Sequence, residues 1–230
     1  MTKRHEMPAK DKWILIHTRL IEKYGHPEWR QHLAPVDELV NTILSQNTSD
    51  TNRDKAFLAL KRRFPEWPMV IEAPEPSVRE VIRPAGLANQ KAPRIQEALR
   101  KIKSENGEIS LDFLAELPLD DARNWLVNLN GVGPKTAAIV LLFAFNRPAF
   151  PVDTHVYRLS GRLGLINESV TVEKAHAVLG KIVAPDAYYA FHLNLIKHGR
   201  ETCSARKPKC DVCPLQDLCV YFYLAVQSSE

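Results

Sequence analysis

Apolar residues recur at intervals of three and four along most of this 230-residue chain, which is the period of helices that bury one face. The segment "DKWILIHTRLIEKYG" places Trp13, Ile16, Leu20 and Ile21 on one face and ends at Gly25, a plausible C-terminal cap. No segment shows the sustained alternation that is typical of β-strands. The pattern therefore predicts an all-α protein.

The same spacing predicts further helices, which lie near 36–46, 48–64, 91–104, 119–128, 134–145, 154–164, 172–183, 187–199 and 214–225. Five prolines restrict the chain between residues 65 and 84 to short helices, and they are Pro65, Pro68, Pro74, Pro76 and Pro84.

One pair of predicted helices is joined by a very short turn, "NGVG", within "LDDARNWLVNLNGVGPKTAAIVLLFAF". Gly131 and Gly133 in this turn permit positive φ and close approach by the backbone of another molecule. Pro134 fits the first turn of the following helix, whose free N–H groups would attract a phosphate. An ordinary corner between two helices that happens to contain glycine explains the turn equally well.

Two residues near this turn are candidates for catalysis. Lys135 lies in the first turn of a helix, where the helix dipole disfavours its protonated form and so favours a nucleophilic amine. Asp153, in "PVDTHVYRLSGRLG", precedes a predicted helix, and its ordinary role there would be an N-terminal cap. Together with an amine nucleophile, it could instead stabilise charge at a sugar carbon.

All four cysteines lie in one short stretch with the spacing C-x6-C-x2-C-x5-C, namely Cys203, Cys210, Cys213 and Cys219. The N-terminus "MTKRHEMPAKDK" has no apolar segment for export, and no stretch approaches the roughly 18 apolar residues of a membrane span. We therefore expect a cytoplasmic protein whose reduced thiols bind a metal rather than form disulfides. The spacing alone leaves zinc and an iron–sulfur cluster open. A loop with so few apolar residues would need the metal for its order.

A net charge of +4 permits nucleic-acid binding without requiring it. The stretch "IKHGRETCSARKPKC" is more basic, and its residues Arg206, Lys207 and Lys209 lie between the first two cysteines. Such a patch would suit contacts with phosphates. A solvated loop is the alternative interpretation.

The motifs "LNGVGPKTAAIV", "PVDTH" and the cysteine spacing together resemble endonuclease III, the bifunctional DNA glycosylases of the helix-hairpin-helix superfamily. The resemblance covers roughly residues 30 to 222. It implies two helical domains that flank a DNA-binding cleft: a six-helix barrel at 36–147, with the hairpin at about 119–145, and a cluster domain formed by 1–35 and 148–230. It also implies a [4Fe–4S] cluster bound by the four cysteines.

The resemblance further implies roles for the candidate residues. Lys135 would attack the sugar C1′ and form a Schiff base, Asp153 would assist departure of the base, and Gly131, Val132 and Gly133 would bind a backbone phosphate. The expected reaction removes oxidised pyrimidines and then cuts the strand by β-elimination. The expected partner is double-stranded DNA with damaged bases or abasic sites, bound by a monomer that associates with the nucleoid in a bacterium or archaeon.

Two loops match the family stretches that occupy distorted DNA. In "ILSQNTSD", Asn47 stands where many relatives carry the glutamine that fills the gap left by a flipped base, and Gln46 lies beside it. In "RPAGLANQKAP", Leu87 would be the wedge between bases, and Ala88 replaces an aromatic residue of some relatives. We expect these departures to change lesion preference and the tightness of duplex engagement, but not the reaction class. Alternatively, Leu87 belongs to the core and the amides cap a helix.

Three other functions compete with this interpretation. A monofunctional mismatch or adenine glycosylase would share the scaffold, but such relatives generally lack a lysine at the position of Lys135. A non-catalytic DNA-binding module would have no special need for Lys135 or Asp153. An iron–sulfur electron carrier would leave the hairpin unexplained.

Overall fold

The computed structural model describes residues 4–227, and side chains as far as residue 225. This part of the chain is helical and contains no β-strand, so the predicted all-α class is confirmed. In chain order the α-helices are α1 (Ala9–Tyr24), α2 (Pro35–Ser45), α3 (Asp50–Arg63), α4 (Trp67–Glu72), α5 (Glu75–Val81), α6 (Ala88–Asn106), α7 (Leu119–Val127), α8 (Pro134–Phe145), α9 (Thr154–Arg162), α10 (Val172–Ile182), α11 (Tyr188–Glu201) and α12 (Val220–Gln227). Short 3-10 helices are Arg4–Glu6, Arg83–Ala85, Asp112–Ala115, Pro185–Ala187, Cys210–Val212 and Gln216–Leu218.

The chain divides into two compact units. One is continuous, spans Gln31–Arg147 and holds α2 to α8, and we call it the inserted unit. The other joins the described residues up to Arg30 with those from Pro148 onward, and we call it the terminal unit. The sequence analysis expected domain borders after residues 35 and 147. That these borders separate independently folding domains stays a prediction.

The inserted unit is organised around α2 and α8, which pack against each other. Pro134 occupies the first turn of α8, and Asn146 ends the helix in the left-handed conformation. Leu39 and Ile43 of α2 and Val140 and Leu141 of α8 are fully buried. A fully buried leucine or isoleucine contributes about 1.5–3 kcal/mol relative to an exposed one, so this contact holds the turn before α8 firmly in place.

The terminal unit packs α11 against α9 and α1. Ile16 and Leu20 of α1 and Leu195 of α11 are fully buried. Asn194 Nδ2 donates a hydrogen bond to the carbonyl of Gly25, at the end of α1, at 3.0 Å. The first helix of the chain is therefore part of the same core as one of the last.

The predicted helix at 214–225 is wrong in part. The structure has a 3-10 helix at Gln216–Leu218, an extended Cys219, and then α12 from Val220. Leu215 and Leu218 are buried, so these apolar residues anchor the 3-10 helix before Cys219 instead of forming one face of a longer helix. Within residues 4–227, no helix has the length and hydropathy to cross a bilayer.

Candidate functional site

The turn between α7 and α8 is a hairpin whose two glycines differ in conformation. Gly131 has a φ of +79°, the left-handed region that favours glycine. Gly133 has a φ of −96° and extended backbone that any residue adopts. The positive φ that glycine permits is therefore adopted by Gly131 and not by Gly133.

The surroundings of the two glycines also differ. A Cβ at residue 131 would lie 2.5 Å from Cδ of Arg94, so the molecule that closely approaches Gly131 is the chain itself. A Cβ at residue 133 would have no atom of the described residues within 4 Å. Neither backbone conformation nor internal packing requires a glycine at residue 133. The absence of a side chain at residue 133 leaves the backbone at the start of α8 accessible to another molecule.

One face of α6 fixes the hairpin turn in position. Arg94, Glu97 and Lys101 follow each other at helical spacing. Lys101 Nζ donates to the carbonyl of Asn128 at 3.2 Å, and Glu97 Oε2 accepts from Asn130 Nδ2 at 2.8 Å. The turn is therefore held by side chains of a neighbouring helix as well as by its own hydrogen bonds.

The residues around the N-terminus of α8 present backbone donors and one free amine. Gly133 has no side chain to cap the helix, so the amides of its first turn receive no side-chain acceptor from that residue. Lys135 is exposed, and its ammonium makes no hydrogen bond or ion pair with the described residues. Val132 is 4% exposed, and its amide donates to the carbonyl of Leu129 at 3.0 Å, so of the three predicted turn residues it is the least accessible to a ligand.

The loop between α2 and α3, residues 46–49, holds the two candidate amides in different states. Gln46 Nε2 donates to the carbonyl of Gly131 at 2.9 Å, which links this loop to the hairpin turn. Asn47 is exposed and has a φ of +52°. The helix α3 is capped by Ser49, whose hydroxyl accepts from the amide of Asn52 at 3.3 Å. Gln46 caps the C-terminus of α2 through its backbone N–H, which donates to the carbonyl of Ile43, while its side-chain amide bonds to the hairpin turn instead.

The segment from Arg83 to Leu87, which we call loop 83–87, leads into α6. Leu87 has a φ of +49°, a left-handed conformation that is an outlier for leucine, and its side chain is 46% exposed. The alternative that Leu87 belongs to the core is therefore wrong. An exposed leucine on strained backbone is a feature that clusters at functional sites.

Asp153, in the terminal unit, caps α9. Its Oδ1 accepts a hydrogen bond from the amide of Val156 at 2.7 Å. The carboxylate is half-buried, and its second oxygen makes no hydrogen bond with the described residues. The ordinary capping role is thus present, and one oxygen remains available for chemistry.

The four cysteines are free thiols, and all four line one pocket. Burial raises the pKa of Cys213 to about 11 and also raises the pKa of Cys219. Thiols of this kind become thiolates when they bind a cation. Among residues 4–227 no group of three or more Cys, His, Asp or Glu side chains is arranged to hold a single metal ion. Four thiols around one pocket therefore fit a polynuclear iron–sulfur cluster better than one zinc ion.

Two arginines of α9 bond to the first part of the cysteine loop, residues 203–219. Arg158 Nη2 donates to the carbonyl of Cys203 at 2.9 Å. Arg162 donates to the carbonyls of Ser204 and Ala205, each at 2.8 Å, and to the sulfur of Cys203 at 3.1 Å. Side-chain hydrogen bonds and buried leucines therefore help to order a loop whose order was expected to come from metal alone.

The three basic residues of this loop are all exposed: Arg206, Lys207 and Lys209. Their charged groups make no hydrogen bond or ion pair with the described residues, so they are free to meet an anion.

Sequence reasoning missed two fully buried lysines, one in each unit. Lys12 Nζ donates to the carbonyls of His5 and Leu163, and Lys91 Nζ donates to those of Leu44 and Ala85. The signal was present, because each lysine stands four residues before an isoleucine on the apolar face of its helix. Lysine on an apolar stripe is usually a solvated neighbour of the core, so the signal is weak.

Comparison with known proteins identifies two matching parts of the chain. The family model of the HhH-GPD superfamily of base excision DNA repair proteins matches residues 40–185, and the model of the iron–sulfur binding domain of endonuclease III matches residues 203–219. Endonuclease III of Sulfolobus acidocaldarius is 34% identical over 94% of this chain and 94% of its own length. A relative from Arabidopsis thaliana is 34% identical over 78% of this chain, which spans 64% of that longer protein.

A solved structure described as a trapped endonuclease III–DNA covalent intermediate is 30% identical, with a TM-score of 0.81. It covers 96% of this chain and 100% of its own. With the match at residues 203–219, these findings indicate a [4Fe–4S] cluster as the cofactor. When bound, such a cluster supplies iron–thiolate bonds that cross-link its loop.

Proposed function

Because the chain belongs to the endonuclease III family of helix-hairpin-helix base excision repair glycosylases, we propose that it is bifunctional. It removes an oxidised pyrimidine from double-stranded DNA and then cuts the strand on the 3′ side of the abasic site. A base inside a duplex is out of reach, so the damaged nucleotide is first flipped into a pocket. The enzyme acts on its duplex as a monomer.

Lys135 is the nucleophile of this reaction. Its amine forms a bond to C1′ as the glycosidic bond breaks and the base leaves with the bonding electrons and a proton. Opening of the sugar ring gives a Schiff base. Removal of a C2′ proton then breaks the C3′–O bond, and water releases the lysine. The exposed, unpartnered amine in the first turn of α8 supports this role.

Asp153 stabilises the positive charge that develops on the sugar as the base departs. Its free carboxylate oxygen supports this role, and the bond from the amide of Val156 to the other oxygen holds the side chain in one orientation. A group that is already fixed requires no reorganisation during the reaction.

The hairpin turn binds a backbone phosphate and so fixes the register of the duplex. Open space over Gly133 and uncapped amides at the start of α8 support this contact. Loop 46–49 and loop 83–87 occupy the space left by the flipped base, with Asn47 and Leu87 as the inserted side chains. The exposed basic residues of the cysteine loop, Arg206, Lys207 and Lys209, add contacts with phosphates.

A single observation carries the lyase proposal: Lys135 stands in the first turn of α8, just after the hairpin turn, and its exposed amine has no partner among the described residues. A lysine kept for charge alone would be more stable at the C-terminus of a helix. The relative trapped as a covalent intermediate with DNA supports the same chemistry.

Borohydride trapping tests this proposal on a duplex with one thymine glycol. We compare the wild type, Lys135→Ala and Lys103→Ala, the last removing an exposed lysine of α6 as a matched control. A covalent adduct should form with the wild type and with Lys103→Ala. Lys135→Ala should bind the duplex nearly as well as the wild type and form no adduct.

An adduct that persists in Lys135→Ala would refute the assignment of the nucleophile. Release of the base without any adduct, in the wild type as well, would identify a monofunctional glycosylase. Binding without release of any lesion base would instead indicate a non-catalytic module.

A further inference from the structure

Lys91 is a buried cation between two loops of the inserted unit. It is 1% exposed, and its Nζ donates to the carbonyls of Leu44 and Ala85, each at 2.8 Å. Within residues 4–227 it has no carboxylate partner. Burial lowers the pKa of Lys91 to about 8. An ammonium in this position is costly, so its retention calls for an explanation beyond filling space.

One carbonyl that binds Lys91 lies just before loop 46–49, and the other lies within loop 83–87. Leu44 is in the last turn of α2 and leads into loop 46–49, where Asn47 has a φ of +52°. Ala85 lies within loop 83–87, where Leu87 has a φ of +49°. Among residues 4–227, only one other non-glycine residue, Asn146, has a positive φ. Such backbone costs a bulky residue such as Leu87 about 1–3 kcal/mol and persists only where its surroundings hold it, whereas asparagine adopts it more readily.

The same network reaches the hairpin turn. Gln46, two residues after Leu44, donates to the carbonyl of Gly131. Hydrogen bonds therefore run from loop 83–87 through Lys91 to the end of α2, and from there through Gln46 to the turn before α8. A substitution of Lys91 can therefore disturb loop 46–49, loop 83–87 and the hairpin turn without replacing any residue that is proposed to contact DNA.

Gln96, on the same helix, shows that joining backbone segments does not require a charge. It is 2% exposed, and its Nε2 donates to the carbonyls of Val70 and Ala73, each at 2.8 Å. Those carbonyls belong to α4 and the residue after it, where no strained backbone follows. A charged donor makes a stronger hydrogen bond than a neutral one. The charged donor, Lys91, therefore bonds to the segments at loop 46–49 and loop 83–87, and the neutral donor, Gln96, bonds to regular backbone.

We propose that Lys91 is a positioning residue that holds loop 46–49 and loop 83–87 in the conformation that inserts into lesion DNA. This inference rests on the proposed function, because insertion is what gives the strained loops a use. Lys91 touches no DNA itself. Its loss should therefore reduce preference for a lesion, while the number of phosphate contacts stays the same.

The test compares Lys91→Met with Gln96→Met as the matched control. Both variants remove two hydrogen bonds from a buried side chain of α6 to backbone carbonyls, so both should lower the melting temperature. We would measure affinity for a duplex with a tetrahydrofuran abasic-site analogue and for the undamaged duplex, at a temperature where both variants are folded by circular dichroism. The readouts are the ratio of the two affinities and its dependence on salt.

Lys91→Met should lower the lesion preference about tenfold and leave the slope of affinity against salt unchanged. Gln96→Met should keep the preference of the wild type. In addition, 2-aminopurine opposite the analogue should brighten on binding of the wild type and of Gln96→Met, and less with Lys91→Met, because unstacking reports insertion of the loops.

An unchanged preference in Lys91→Met, or an equal loss in both variants, would reduce Lys91 to a structural anchor. A wild type without any preference for the analogue would instead overturn the proposed function, and the role of Lys91 with it. If Lys91→Met is too unstable to assay, Lys91→Gln keeps one neutral donor. Its preference should fall at least threefold, and an unchanged value would overturn the proposal.

Discussion

Substitution of the two hairpin glycines by alanine should separate stability from DNA binding. The structure gives each glycine a different reason to be there. Gly131 combines a φ of +79° with the side chain of Arg94 at 2.5 Å from a Cβ. Gly133 combines ordinary backbone with open space. Each variant adds one methyl group to the wild type, and the two substituted positions are two residues apart.

The expected magnitudes follow from these surroundings. Left-handed backbone costs an alanine about 1–2 kcal/mol, and the flexible stem of Arg94 must shift as well. At 2–4 °C per kcal/mol for a chain of this size, Gly131→Ala should melt about 2–8 °C lower. Gly133→Ala should be neutral, or more stable by about 0.4–1 kcal/mol, because alanine restricts the unfolded chain. Its methyl group would stand between the first amides of α8 and a phosphate.

Thermal unfolding followed by circular dichroism measures the first effect, and fluorescence anisotropy with the abasic-analogue duplex measures the second. We expect Gly133→Ala to bind at least tenfold more weakly, which corresponds to the loss of about 1.4 kcal/mol. Its loss should be the same for damaged and undamaged duplexes, because phosphate contacts carry no sequence information.

Either of two results would refute this reasoning. Wild-type affinity in Gly133→Ala would mean that no phosphate approaches residue 133. A melting temperature of Gly133→Ala as low as that of Gly131→Ala would mean that residue 133 is glycine for the sake of the fold.

Two further predictions concern Asp153 and Lys91. Asp153→Asn should keep the cap on α9 and the melting temperature, but it should release thymine glycol at least 100-fold more slowly in single turnovers, because a neutral amide stabilises a sugar cation poorly. Asp153→Ala should also lose about 1 kcal/mol of stability, because it removes the cap. Base release at the wild-type rate by Asp153→Asn would contradict the assigned role. The lowered pKa of Lys91, about 8 against 10.5, means that the unfolded chain binds more protons above pH 8, so stability from this group rises with pH. Relative to Lys91→Met, the wild type should therefore gain about 2 kcal/mol between pH 7 and pH 9.5 in urea unfolding, and a constant difference would show that the lysine titrates normally.

Helices with a complete apolar face and clear ends were predictable from the sequence. The predicted helix at 134–145 coincides with α8, because Pro134 marks its start and the long apolar run that follows indicates a buried helix. The prediction of 91–104 missed the first turn of α6, which begins at Ala88. Its start depends on the left-handed backbone of Leu87, and local sequence does not reveal a strained leucine.

The residues of the candidate site fall into two classes of predictability. Lys135, Asp153 and the four cysteines stand out because their residue types and spacing have few other uses. The partners that hold the site were not predictable, since Lys91 binds carbonyls 47 and 6 residues away and Arg162 binds carbonyls 42 and 43 residues away. Backbone carbonyls have no side-chain identity, so their acceptor role leaves no mark in the sequence.

The order of the two units along the chain sets an order of assembly during translation. Helix α1 is made first, but its partners in α11 follow only after the whole inserted unit, whose synthesis takes on the order of ten seconds. During that interval Ile16 and Leu20 have no core to join, while residues 31–147 can complete their own. A nascent chain therefore carries an exposed apolar helix while the inserted unit is made, and it is open to chaperones at that stage. The cysteines follow the inserted unit in the chain, so the cluster is assembled in a protein whose residues 31–147 have already had time to fold.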